Sequence, residues 1–139
     1  MKPLPWTPGT AHQATSDEVV VMASRLELRR LRDVPAFLRA ALRLRRRFTT
    51  TPGGMGLSLY AQPASKRFYT LSAWTDEAAM AGFTRDPAHV EVMTRFRPRM
   101  AGSRFTTWTP AAGTVPTWPD ALAQLAAADE RAVASRAQG

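Results

Sequence analysis

Apolar and polar residues follow one another in blocks that predict a strand, a helix, two strands, one or two short helices and a last strand. The first block, 18–28, is rich in β-branched and apolar residues and predicts a strand. In 34–48, apolar positions recur at helical spacing while arginines share another face, which indicates an amphipathic helix. Alternation predicts further strands over 55–61, 67–74 and 103–109, with hairpin chemistry between the first two of these.

One or two short helices are predicted between the strands 67–74 and 103–109, because the sequence has two helix-start signals there. Thr75 or Asp76 suits the N-cap of the first, while Asp86 suits the cap of the second and Pro87 its first turn. The resulting order of elements is that of the split βαβ, or ferredoxin-like, arrangement. We therefore expect an α+β fold with a four-stranded antiparallel sheet and helices on one face.

The two ends of the chain do not continue this pattern. Residues 1–17 hold three prolines and no periodicity, and they predict an irregular arm with Trp6 as its anchor. The domain proper is expected over 18–109, followed by an extension over 110–139. Within the extension a terminal helix is predicted over about 120–136. The anchor and the thin apolar stripe of this helix are predicted to be Trp118, Leu122, Leu125 and Val133.

Composition is that of an ordinary globular domain. The 139 residues fit one domain, and 45% hydrophobic with 22% charged residues favour neither disorder nor a membrane protein. No apolar run approaches the roughly 20 residues that a spanning helix needs. With no secretory signal readable and no cysteine, a cytoplasmic protein without membrane association is expected.

The net charge of +8 is concentrated in one segment. Residues 25–47 contain nine arginines, opposed only by Glu27 and Asp33. One interpretation is a solvated face or the rim of a dimer interface, and the other is a surface that binds polyanions. Nucleic acid is not an expected partner, because charge alone supports only non-specific attraction.

The sheet face opposite the helices is expected to be aromatic. Such a contiguous patch does not remain exposed to water on a monomer. Either two chains close their sheets on each other as a homodimer, or the face binds a ligand. The side chains assigned to this face are Tyr60, Phe68, Thr70, Ser72, Trp74 and Trp108.

His89 is one of only two histidines, and it lies in an apolar setting. At 3.6 residues per turn it falls in the same stripe as Val92, Met93, Phe96 and Met100, so it is expected to face inward. Burial and a position early in a helix both disfavour the imidazolium. A neutral ring suits a metal ligand or a general base, but a histidine that simply bonds a core carbonyl or water would look the same.

A set of motifs resembles a known superfamily. The runs "GMGLSLYAQP", "RFYTLSAWTDEAAMAGFTRDPAH" and "MAGSRFTTW" resemble the dimeric α/β-barrel proteins, which include antibiotic-biosynthesis monooxygenases and polyketide cyclases. The similarity is nearest to the uncharacterised branch related to spheroidene monooxygenase, in which a strand ends in Thr-x-Ser-x-Trp, here Thr70, Ser72 and Trp74. It covers about residues 18–109.

The resemblance implies an oxygenase-type enzyme for a hydrophobic, aromatic or polyene-like small molecule. Haem is one implied cofactor, because it needs only His89 as axial ligand, an apolar slot and cations for its propionates, with Arg67 and Arg104 as candidates. The alternatives are a cofactor-free polyketide cyclase or isomerase with His89 as base, and a non-catalytic protein that binds a small ligand. The expected substrate pocket consists of Tyr60, Phe68, Thr70, Ser72, Trp74, Met93, Phe96 and Trp108.

Overall fold

The strands and helices follow the order that the sequence predicts. The structure, a computed structural model, describes residues 3–111 and 113–138. All five predicted core elements occur within three residues of their predicted bounds, and both short helices form. The elements are β1 (Thr7–Pro8), β2 (Val20–Leu28), α1 (Val34–Phe48), β3 (Gly54–Gln62), β4 (Arg67–Trp74), α2 (Glu77–Thr84), α3 (Pro87–Phe96), β5 (Met100–Trp108) and α4 (Trp118–Gln138).

The strands form one antiparallel sheet in the order β1-β3-β4-β2-β5. The four long strands are arranged as in ferredoxin-like proteins, which confirms the predicted fold class. A fifth strand was not predicted, and it comes from the N-terminal arm, where Thr7 pairs with Leu57. Trp6 packs directly on Gly56, and a side chain at Gly56 would collide with its indole ring. Two residues of the arm therefore pair at the edge of the sheet, while most of 3–17 is irregular.

The helices α1, α2 and α3 cover one face of the sheet, here called the inner face. Phe68 on β4 packs on Phe37 of α1, with ring centroids 4.7 Å apart. At the other end of β4, the Trp74 ring meets Phe48 edge-on at 5.2 Å. Every second residue of β4 thus points toward the helices, as the pleat of a strand requires.

The other face of the sheet, the outer face, is covered by α4 of the same chain. Leu71 and Ala73 of β4 are buried there against Leu125 of α4. At the start of α4, the Trp118 ring lies 5.7 Å from that of Tyr60 on β3. The C-terminal extension is thus a structural layer of the domain.

These contacts correct the prediction of an open aromatic face. The alternation along β4 is as predicted, but the sides are reversed. Both sides of this strand are apolar, so alternation alone does not distinguish them. On the inner face lie Phe68, Thr70, Ser72 and Trp74, and on the outer face lie Tyr60 and Trp108. The sheet face that was expected to pair with a second chain is covered by α4. Homodimerisation therefore stays a prediction, but this face cannot be its interface.

Two arginines attach α4 to the outer face. Arg25 on β2 donates two hydrogen bonds to the Asp129 carboxylate, at 2.9 and 2.8 Å, and Arg104 on β5 donates a third at 2.9 Å. The bond from Arg25 is the main cause that lowers the pKa of Asp129, and the same bond raises the pKa of Arg25. These side chains are partly exposed, so their ion pairs add little to the free energy of unfolding. Their main effect is to set the position of α4 along the sheet.

The predicted apolar stripe of α4 is only partly right. Leu125 is 1% exposed, whereas Leu122 is 45% and Val133 60% exposed. Ala121 and Ala128 complete the buried stripe, because small side chains let the helix lie close to the sheet. α4 is the longest helix, with 21 residues. Neither it nor any other helix in the described parts of the chain is apolar over a length sufficient to cross a membrane.

The Leu125→Ala substitution should lower the free energy of unfolding by about 2–5 kcal/mol, because it removes a buried side chain between α4 and the sheet. Leu122→Ala, the same change on the exposed side of the helix, should cost less than about 1 kcal/mol. Chemical denaturation of both variants measures the difference. Equal losses would contradict the docking of α4.

Candidate functional site

An apolar cavity of about 360 Å³ lies between the inner face of the sheet and the helices α1 and α3. Small-molecule sites in proteins are typically concave, mostly apolar cavities of roughly 300–1,000 Å³. All four long strands contribute to the lining. Its walls include Met22, Ser24, Leu57, Leu59, Phe68, Thr70, Ser72 and Trp74 from β2, β3 and β4, Phe105 from β5, and Phe37, Leu38, Ala41, Leu44, Arg45, Phe83, His89, Val92 and Met93 from the helices.

Two aromatic clusters bracket the cavity. Phe37, Phe68 and Phe96 pack at one end of β4, with ring centroids 4.7–5.1 Å apart. Phe48, Trp74 and Phe83 pack at the other end, at 5.2–6.1 Å. Between the clusters, the inner side of β4 carries only the small residues Thr70 and Ser72. Large rings therefore hold α1 away from the sheet, while small side chains between them leave the space unfilled.

Most of the pocket residues predicted from the sequence border this cavity, but Phe96 and Trp108 do not. Phe68, Thr70, Ser72, Trp74, Met93 and His89 line it, and Tyr60, which contacts α4 on the outer face, also borders it. Phe96 is 1% exposed and packs in the first aromatic cluster. Trp108 lies on the outer face, where it packs against buried residues of the sheet and of α4.

The two arginines predicted to hold acid groups lie away from the cavity. Arg67 lies 3.5 Å from the carboxylate of Glu27, its cross-strand neighbour on β2. Arg104 is bound to Asp129 on the outer face. Both predictions are therefore wrong about position. Arg67 lies on the same side of β4 as Leu71 and Ala73, and Arg104 is the cross-strand partner of Arg25 on the outer face, so neither side chain points to the inner face.

A strip of hydroxyl groups forms the polar part of the cavity floor. Ser24 on β2 and Thr70 on β4 are cross-strand partners whose hydroxyl oxygens lie 2.5 Å apart. The buried indole N–H of Trp74 donates to the hydroxyl oxygen of Ser72 at 2.9 Å. Since Ser72 accepts that bond, its own proton is free to be donated. The strip can therefore present hydroxyl donors to an oxygen atom of a ligand.

The first turn of α3 positions His89 in the cavity wall. Asp86 caps the helix as predicted, since its carboxylate accepts from the backbone N–H of Ala88 at 2.9 Å. Arg47 of α1 donates to the same carboxylate at 2.9 Å and ties the two helices together. The His89 ring packs edge-on against Phe83, with centroids 5.5 Å apart. Phe83 in turn contacts Trp74, so histidine and tryptophan belong to one aromatic wall.

Partial burial of His89 favours the neutral imidazole near pH 7. Desolvation lowers the pKa of His89 below its ordinary value of 6.5, and the Thr84 carbonyl and the Asp86 carboxylate act more weakly in the opposite direction. The Thr84 carbonyl can accept a hydrogen bond from the N–H of one ring nitrogen, which leaves the other nitrogen as a base or ligand. In the described parts of the chain, no three potential metal-binding side chains (His, Cys, Asp or Glu) cluster together.

Several lining residues were not among those predicted from the sequence, and two of them, Ser24 and Arg45, are polar. Ser24 lies on the same side of β2 as Met22 and Leu26, which face the helices. The two-residue period of the strand could therefore have predicted that Ser24 lines the cavity. Arg45 is one of nine arginines in 25–47, and nothing in the sequence distinguishes it from the others. Only the structure separates Arg45, which borders the cavity, from Arg43 on the outside of the same helix.

Neither a protein-family model nor a curated protein matches the sequence. Solved structures do match its fold. A proposed antibiotic-biosynthesis monooxygenase from Nitrosomonas europaea aligns with 70% of this chain and 95% of its own, at a TM-score of 0.63 and 14% identity. A variant of SnoaB, a cofactor-independent oxygenase from Streptomyces nogalater, aligns with 72% of this chain and 99% of its own, at a TM-score of 0.58 and 19% identity.

A proposed monooxygenase from Lactobacillus acidophilus is similar at a TM-score of 0.60 and 14% identity. The alignment covers 68% of this chain but only 47% of that one, so this chain matches about half of the longer protein. At these identities the likeness shows the fold. The fold is the ferredoxin-like fold of the antibiotic-biosynthesis monooxygenases, as the sequence resemblance implies.

Replacing Ser72 with Ala should destabilise the protein by about 1–3 kcal/mol, because the buried Trp74 N–H would lose its acceptor. Ser103→Ala, on the exposed edge strand β5, should change the free energy of unfolding by less than about 0.5 kcal/mol. Denaturant titration followed by tryptophan fluorescence measures both. A Ser72→Ala variant as stable as the control would refute the bond.

The stability of the wild type should fall as the pH decreases from 7 toward 5. The pKa of His89 is lower in the folded chain than in the unfolded chain, where it is near 6.5, so the unfolded state binds more protons in this interval. The contribution of neutral His89 to the free energy of unfolding is fully present above pH 6.5, and it is lost as the pH falls through the pKa of His89 in the folded chain.

The control for this pH dependence is His89→Gln, which cannot titrate. Its free energy of unfolding should change less between pH 7 and 5 than that of the wild type, in parallel urea titrations. Loss of the ion pairs of Asp86 and Asp129 falls in a separate interval, because the pKa of each carboxyl is lowered below 3.8. Identical slopes for the two proteins would contradict the lowered pKa of His89.

Proposed function

We propose that this protein is an oxygenase-type enzyme that transforms a hydrophobic aromatic small molecule in the inner cavity, with His89 as general base. The observation that carries the proposal is the position of His89 in the wall of an apolar cavity of about 360 Å³, where desolvation lowers its pKa. The named activities of proteins with the same fold agree with it, one of them being a cofactor-independent oxygenase.

The reaction begins with proton transfer to His89 from an acidic phenol or methylene group of the substrate. A base whose pKa is lowered by burial is unprotonated at neutral pH and ready to accept that proton. The resulting carbanion reacts with oxygen directly. For a methylene converted to a carbonyl, one oxygen atom enters the substrate and the other leaves as water. This water takes up both methylene hydrogens, the one held as a proton on His89 and the one released from carbon when the carbonyl forms. The substrate supplies all the electrons.

The rest of the cavity positions the substrate and excludes water. Trp74 and Phe83 form an aromatic wall next to the histidine, suited to stacking against a flat ring. The hydroxyl groups of Ser72 and of the Ser24–Thr70 pair can donate to the oxygen on which negative charge develops. The stated chemistry therefore needs only residues that border one cavity.

The residues present do not fit haem as well as they fit a cofactor-free reaction. His89 could serve as an axial ligand, but two propionates need cations. Arg67 and Arg104, the predicted partners, are paired with Glu27 and Asp129 outside the cavity. Arg45 is the one arginine that borders the cavity among the described residues. We therefore propose no step through haem.

Oxygen consumption with dithranol, a tricyclic phenol with an acidic methylene group, tests the proposal. We expect catalysed oxygen uptake by the wild type, and a loss of about a hundredfold or more in His89→Gln. Glu91→Gln, an exposed change on the same helix, should leave the rate unchanged. The wild-type rate should rise with pH through the pKa of His89 and then remain level.

Other outcomes of this experiment separate the alternatives. Full activity in His89→Gln would refute the role of the base. Tight binding of dithranol without any oxygen uptake would refute the oxygenase and favour a protein that only binds a small ligand. A Soret band after addition of haem that is lost in His89→Ala would refute the cofactor-free version.

A further inference from the structure

Arg45 is the one permanently charged residue among the described residues that border the cavity. The only other ionisable residues there are His89, Tyr60 and Tyr69, and the described lining contains no aspartate or glutamate. Arginine stays protonated at any physiological pH. The cavity therefore combines an apolar interior with one fixed positive charge.

The position of Arg45 is set by the N-terminal arm. Its Nε donates to the Thr7 hydroxyl at 2.8 Å, so the guanidinium is held by the short strand β1. The arm itself is fixed to β3. The Leu4 N–H donates to the Leu59 carbonyl at 2.8 Å, and the Ser58 hydroxyl donates to the Leu4 carbonyl at 2.8 Å. Leu4 also borders the cavity, which makes the arm part of the site.

The outer nitrogens of this guanidinium have no partner among residues 3–111 and 113–138. No hydrogen bond or ion pair joins either Nη atom to the rest of the described chain. Other arginines of the same segment do have carboxylate partners, such as Arg25 with Asp129 and Arg47 with Asp86. A half-buried guanidinium with two free donors on one edge has the geometry that binds a carboxylate or a similar anion.

We infer that Arg45 binds an acidic group of the ligand, a carboxylate, sulfonate or phenolate, while the apolar body of the ligand fills the cavity. This inference rests on the proposed function, since it concerns the ligand of the same cavity, and it narrows the substrate class to aromatic acids. Thr7 is a positioning residue, because it holds Nε and directs the two Nη groups.

Two fluorescent probes of similar shape test the inference. 8-Anilinonaphthalene-1-sulfonate carries one negative charge, and N-phenyl-1-naphthylamine is its neutral counterpart. Fluorescence titration of the full chain should show that Arg45→Met weakens binding of the sulfonate about tenfold, the loss of a charge-assisted hydrogen-bonded pair. Binding of the neutral probe should not change, because the methionine preserves the apolar stem.

Three variants make the comparison specific. Arg43→Met removes the same charge from the outside of α1 and should leave the affinities for both probes unchanged. Arg45→Lys keeps the charge but not the planar fork, so the sulfonate should bind with intermediate affinity. Thr7→Val should weaken only the sulfonate, about threefold, because Nε loses its acceptor.

The outcomes distinguish this inference from the proposed function. If Arg45→Met weakens both probes equally, or neither, Arg45 is not an anion-binding residue and the inference is overturned, while the oxygenase proposal stands. If Arg43→Met weakens the sulfonate as much as Arg45→Met, the effect is one of net charge and the inference is again overturned. If the wild type binds neither probe, the cavity does not admit ligands, and both proposals fail.

Discussion

The structure depends on one constraint, which is that a sheet with two apolar faces has to be covered twice. On the inner face β4 presents Phe68 and Trp74, and on the outer face Leu71 and Ala73, all of them buried. Exposing either side would leave an apolar patch that a soluble fold does not tolerate. One chain supplies both covers, with α1, α2 and α3 on the inner face and α4 on the outer.

The two covers differ, and the difference creates the site. On the outer face small residues such as Ala121 let α4 approach the sheet, and α4 packs directly on Leu71 and Ala73. On the inner face the aromatic clusters around Phe37 and Phe48 keep α1 away from the sheet, and the hydroxyl residues between them leave a space. His89 and Arg45 border that space from α3 and α1. Packing that stabilises the fold thus also defines the shape and the charge of the cavity.

Much of the fold could be predicted from the sequence, because hydrophobic periodicity and capping residues act locally. Asp86 and Pro87 predicted the start of α3 and therefore the inward position of His89. Which face of β4 meets the helices could not be predicted, because both sides are apolar and the answer depends on α4, more than 40 residues further along the chain. The role of Arg45 likewise depends on Thr7, 38 residues before it. Contacts between distant segments leave no periodic signal in the sequence.

The central claim is that α4 of the same chain is a permanent layer of the domain. Amide hydrogen exchange of the full chain, read by mass spectrometry, tests it most directly, because a docked helix opens only with the unit it packs on. We predict that the amides of residues 121–130 exchange about as slowly as those in the middle of β2. Exchange of 121–130 at the rate of an unfolded peptide, while β2 stays protected, would contradict the account.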